Sequence, residues 1–271
     1  MSHIHIPDGV LPPWIWISGW VIAVALVGIA VRMSHREDLR RKVPLVGVVC
    51  AFVLVAMSSE IVPIAYHLNL TVIAGVLLGP WLGVIAAFIV EVILAAIGHG
   101  GVTVIGLNTL MISVEIVLGW ALFRTFVRLL GRTRAAWAGA LSTALALAVT
   151  TSLLVGLVAL AGGGLVSSRE TGALDPGTLR FNNPLGEGVF SVRTLSREVP
   201  ASPADVTAPR LSVARFAEVV FILGPIGWII EALVTAAVLG FVSRVRPTLV
   251  FAGAIAEGWH IVPDHHLEGK A

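Results

Sequence analysis

The chain opens Met1-Ser2-His3-Ile4-His5-Ile6-Pro7-Asp8-Gly9, with two histidines within reach of an α-amino group just ahead of an apolar run. A terminal amine, deprotonated backbone amides and imidazole nitrogens make a nitrogen-rich donor set. Such a set suits Ni²⁺, Co²⁺ or Cu²⁺, whereas Mg²⁺ and Ca²⁺ prefer oxygen ligands. With Met1 retained, its amine, the Ser2 and His3 amides and the His3 imidazole describe a four-nitrogen square. With Met1 removed, which the small Ser2 favours, Ser2 supplies the amine and His3 an amide and an imidazole; the fourth position is then open to His5 or His67. Square-planar nitrogen sites favour Ni²⁺ or Cu²⁺, and Co²⁺ tolerates several geometries. Amide deprotonation links such binding to proton release.

The elements that must position these residues lie in a membrane. Of 271 residues 57% are hydrophobic and only 13% charged, against about 25% charged in a soluble domain. The single cysteine, Cys50, excludes an internal disulfide and a cysteine-based zinc or iron–sulfur site. The net charge of +2 is small, and the basic residues cluster between apolar runs. That is a topology signal rather than a nucleic-acid footprint. No Lys or Arg precedes Arg32, so the start does not read as a cleavable signal.

The expected fold is an all-α membrane protein of about seven transmembrane helices, since one span takes roughly 20 apolar residues. The spans are expected at 14–33, 44–66, 68–79, 81–97, 104–126, 135–161 and 216–242. Residues 68–97 are too long for one span and are broken at Gly79-Pro80-Trp81, where proline ends a helix and glycine permits a turn. Basic clusters at 32–42, 124–134 and 244–246 fall on one side, which the positive-inside rule makes cytoplasmic. The N-terminus is then outside and the C-terminus cytoplasmic. The domains read as 1–13, a metal-binding segment; 14–161, helices 1 to 6; 162–215, an extracytoplasmic loop rich in Gly, Pro, Ser and Thr; 216–247, helix 7; and 248–271, a cytoplasmic tail.

This topology places His3, His5, His67 and His99 on the outer face, with His67 at the turn after helix 2 and His99 at the turn after helix 4. The plain alternative for His99 is a solvated loop residue. Within the spans lie Glu60, Glu91, Glu115 and Glu231. A charge at membrane depth is costly, and such residues are functional or join helices through hydrogen bonds. Glu60 and His67, seven apart, share a helix face if helix 2 continues through both. Asn108, just inside helix 5, can hydrogen-bond across helices. For Glu91, Glu115 and Glu231 the plainer reading is interhelical bonding. The chain has no Walker loop, no His-Glu-x-x-His and no Gly-x-Ser-x-Gly.

The run His5-Ile6-Pro7-Asp8-Gly9, then Leu11-Pro12 and Trp14, resembles the start of the CbiM/NikM family, the substrate-binding membrane subunits of cobalt and nickel energy-coupling factor transporters. So do His67 with Ala74-Gly75, Leu78-Gly79-Pro80-Trp81, Gly106-Leu107-Asn108 and Ile230-Glu231-Ala232-Leu233-Val234-Thr235-Ala236. The resemblance covers roughly 3–135 and 215–245. It implies a subunit that is not an enzyme and whose substrate is one divalent metal, cobalt or nickel. The metal would be held by Met1, Ser2, His3, His5 and His67, with Glu60, His99 and Asn108 behind them or along its path. His5 matches the family's near-terminal histidine, and Ser2-His3-Ile4 is an insertion ahead of it. The implied partners are a transmembrane coupling subunit, ATPase subunits and, as an optional third, a small accessory membrane subunit. The surroundings are membrane lipid, with no nucleic acid. A different class, a membrane redox protein holding haem between histidines, would need two histidines at membrane depth on facing helices. A scaffold without ligand is a third reading.

Overall fold

The computed structural model describes residues 11–34, 39–58, 60–61, 66–97, 101–161 and 213–256. They form helices α1 (Pro13–Ser34), α2 (Leu39–Ser58), α3 (Thr71–Ala96), α4 (Ile105–Leu130), α5 (Ala135–Leu160), α6 (Val213–Val245) and α7 (Pro247–Ala256). A two-residue strand pair, β1 (Glu60–Ile61) and β2 (Tyr66–His67), stands between α2 and α3. Five helices (α1, α3, α4, α5 and α6) are long and apolar enough to cross a membrane. The all-α membrane fold is as the sequence predicts.

Helix α3 is the centre. It packs against α1, α2 and α4, while α5 pairs with α6 and also lies against α4. Its buried residues include Val72, Ile73, Leu82, Val90 and Leu94. Around the rim, large apolar side chains point outward: Val21 is 65% exposed, Leu233 64% and Phe241 66%. In water such a surface would drive association. Against lipid tails it is the expected exterior, and the close contacts inside fall to small residues. A Cβ on Gly106 would lie 2.6 Å from the Trp20 backbone, and one on Gly75 would run into the Ile116 carbonyl oxygen. These two glycines let α4 approach α1 and α3.

The break expected at Gly79-Pro80 is present. Gly79 has φ 78° and ψ 177°, non-helical values at which the span Thr71–Ala96 divides into two helices, as the sequence predicts. Several boundaries differ from the sequence reading, among them a start of α2 at Leu39 rather than 44 and an end of α4 at Leu130 rather than 126; three further differences follow. Helix α2 ends at Ser58 rather than near 66. The Ser58 hydroxyl donates back to the Val55 carbonyl at 3.2 Å, and Ser59 and Pro63 in the sequence beyond are poor helix residues. Helix α3 starts at Thr71, not 68, because Leu70 is left-handed, with φ 53°. The segment after 247 begins with a helix, α7. Its Val250 and Phe251 are buried, and the Arg132 guanidinium stacks 5.6 Å from the Phe251 ring.

Candidate metal-binding site

Of the expected ligands, the described residues contain His67; Met1, Ser2, His3 and His5 lie outside them, as does His99, expected behind the ligands or along the metal's path. Among the described residues no three His, Cys, Asp or Glu side chains gather as a metal cluster. His67 is half-buried and ends β2. Its partner across the antiparallel pair is Glu60, with Ile61 opposite Tyr66. The sequence placed Glu60 and His67 on one helix; the structure brings them together as opposed strand residues. Asn108 is 1% exposed in the first turn of α4.

Immediately after His67 the chain enters a polar junction built by three other helices. The Asn69 amide Nδ2 donates to Glu115 Oε1 of α4 at 2.7 Å, and the Thr71 hydroxyl donates to the same oxygen. Glu115 Oε2 accepts the Thr150 hydroxyl of α5 at 3.1 Å. Glu231 of α6 accepts the backbone N–H of Asn69 at 3.3 Å through Oε2 and that of Leu70 at 2.9 Å through Oε1. Glu115, Glu231 and Thr71 are 0% exposed and Asn69 1%.

The depth of this junction follows from α4. Glu115 stands ten residues beyond Ile105, the helix start, hence about 15 Å along it at ~1.5 Å per residue. The backbone at 69–71 therefore meets α4 near its middle rather than at its end. Irregular backbone at such depth persists only where protein satisfies its polar groups. The two glutamates do so here. Sequence reading singled out both as costly intramembrane carboxylates, and the structure shows them joining helices. It did not single out Asn69, Thr71 or Thr150. The available signal was two polar residues, Asn69 and Thr71, in an apolar stretch directly after a candidate ligand.

Comparison with known proteins adds the lineage. The family sequence model described as CbiM, cobalt uptake substrate-specific transmembrane region, matches residues 5–249. A Haloquadratum walsbyi protein, provisionally named for metal transport, is 38% identical over 128 residues, covering 45% of this chain and 59% of that protein. The fused nickel transport protein NikMN of Rhodobacter capsulatus is 30% identical over 234 residues, covering 83% of this chain and 61% of that protein. This chain thus spans about 60% of the length of these two relatives. The cobalt transport protein CbiM of Sorangium cellulosum is 31% identical over 218 residues, covering 71% of this chain and 90% of that protein. A crystal structure described as a transition metal transporter superposes with a TM-score of 0.61 at 19% identity, covering 93% of this chain and 99% of that chain. At that identity the likeness speaks for the fold. Family match and apolar helices agree: the chain is a multi-pass membrane protein and belongs to the CbiM family.

Proposed function

We propose that the chain is the metal-specific membrane subunit of an ATP-driven cobalt or nickel importer. It binds one divalent cation arriving from the outer face. His67 supplies one ligand, and His3 and His5 supply others from the segment ahead of α1. The chain's own work is binding and release. ATP hydrolysis belongs to ATPase subunits, reached through a transmembrane coupling subunit that meets the basic, cytoplasmic ends of the helices.

The observation that carries the reading is the setting of His67. It is backbone-paired to Glu60 and lies two residues before a fully buried junction inside the bundle. A histidine whose backbone is held this way has less freedom to lose on meeting a metal, and pre-organisation of that kind raises affinity. Imidazole ligands also suit Co²⁺ and Ni²⁺. The named functions of the relatives, nickel transport for NikMN and cobalt transport for CbiM, fall within that choice.

The test is calorimetric titration of the purified protein in detergent with NiCl₂ and CoCl₂ in parallel. One-to-one binding that is lost in His67→Ala supports the reading and identifies the metal. Absence of divalent binding by a protein with an intact N-terminus overturns it.

A further inference from the structure

We infer that Glu231, on α6, is a positioning residue for metal binding: it sets where His67 stands, with Glu115 bracing the same junction from α4. This rests on the proposed role of His67 as a ligand.

Helix α3 needs help to begin. Its N-cap position is Leu70, left-handed and without a side-chain cap. A helix start leaves backbone N–H groups without intrahelical acceptors. Leu70 has no side-chain oxygen to fix the turn into the helix, as Ser, Thr, Asp or Asn would have. The turn leading into the helix is held from a residue 161 positions beyond Leu70: the two oxygens of the Glu231 carboxylate take the N–H groups of Asn69 and Leu70. Successive backbone N–H groups closing on one carboxylate form an anion-binding nest. The positive end of α3 reinforces it. Glu115 takes the Asn69 and Thr71 side chains and is itself tied to Thr150.

Only Leu68 separates His67 from Asn69. Consecutive Cα atoms are about 3.8 Å apart at fixed length, so a displacement at Asn69 is passed to His67. The ligand is therefore held from two sides, by β1 in front and by two glutamates behind. The arrangement requires a carboxylate at 231. Both backbone groups bonded to it are donors; glutamine has one acceptor end and one donor end, and the donor end would face an N–H.

The experiment uses the full-length protein in detergent. Wild type, Glu231→Gln and Glu231→Asp are titrated with NiCl₂ and CoCl₂, and the absorption bands of bound Co²⁺ are recorded. Thr235→Val is the control. Thr235 lies one turn further along α6, is fully buried, and its hydroxyl has no hydrogen-bond partner in the structure. Glu231→Gln is expected to weaken binding roughly 10- to 100-fold, the usual range for residues that orient metal ligands, and to shift the Co²⁺ bands. Thr235→Val is expected to keep wild-type affinity and bands. A purely structural Glu231 would alter thermal stability while leaving affinity and bands unchanged, and that outcome overturns the inference. Should Glu231→Gln fail to fold, Glu231→Asp decides. It keeps the charge but retracts the carboxylate by about one bond, ~1.5 Å, so the bonds of 2.9 and 3.3 Å cannot both persist. Weakened binding then supports the inference, and wild-type binding overturns it. If His67→Ala itself binds as wild type, the proposed function fails as well.

Discussion

At the scale of single residues, the proposal turns on His67. His67→Ala is expected to lower Ni²⁺ and Co²⁺ affinity by more than the roughly 10- to 100-fold typical of a supporting residue, read by titration against an unchanged helical circular dichroism spectrum. Equal affinity in the variant would remove His67 from the ligand set. His3→Ala and His5→Ala, titrated separately, show which of the two histidines joins the ligand set. For all forms that bind, affinity is expected to fall as pH is lowered, because protons compete with the metal for nitrogen ligands; a pH-independent affinity would argue for oxygen ligation instead. His67 was legible as chemistry because it interrupts an apolar run beside a predicted helix end. Glu115 and Glu231 were legible as costly. What they hold was not, since their bonds reach Asn69 and Leu70 across 46 to 162 residues. No local spacing encodes such a pairing.

At the scale of elements, Gly79 and Gly106 carry the sharpest expectations. Gly79 combines φ 78° with ψ 177°, a region essentially reserved for glycine, where another residue costs on the order of 1–3 kcal/mol. Gly79→Ala is expected to lose about that much stability, seen as a lower unfolding midpoint in detergent; an unchanged midpoint would mean that the kink relaxes without strain. Gly106→Ala drives its new methyl into the Trp20 backbone, and overpacking of this kind costs about 1–3 kcal/mol. The expected readout is destabilisation together with weakening of the contact that Trp20 makes, through its indole N–H, with the Thr103 carbonyl at 2.8 Å; intrinsic Trp fluorescence in a Trp20-only background follows it. The Gly79-Pro80 break could be read directly, because both residues dictate backbone shape by themselves. The end of α2 could not. Ile61, Val62, Ile64 and Ala65 prolong the apolar pattern past Ser58, and hydropathy does not distinguish a helix from a short strand pair. α7 was missed for the opposite reason: its ten residues are too few to register as a span.

At the scale of the whole molecule, five long apolar helices and a lipid-facing rim establish the bundle, but a bundle looks the same from either side. Its sidedness comes from charge. The cluster from Arg124 to Arg134 and the pair Arg244 and Arg246 sit at one set of helix ends, and the proposed topology, from the cytoplasmic bias of basic loops, has that end inside. The 101–104 segment between α3 and α4 is then expected to face out. Impermeant maleimide labelling of intact cells tests this with little disturbance. Cys50, the only native cysteine, is 7% exposed within the bundle and can stay as an unreactive background. Val102, 60% exposed, replaced as Val102→Cys, is expected to label in intact cells. Arg132→Cys, in the turn between α4 and α5, is expected to label only after permeabilisation. The reverse pattern would place the ligand-bearing segment and the basic ends on the wrong sides for an importer. The proposed direction of transport would then fall even if His67 still bound the ion.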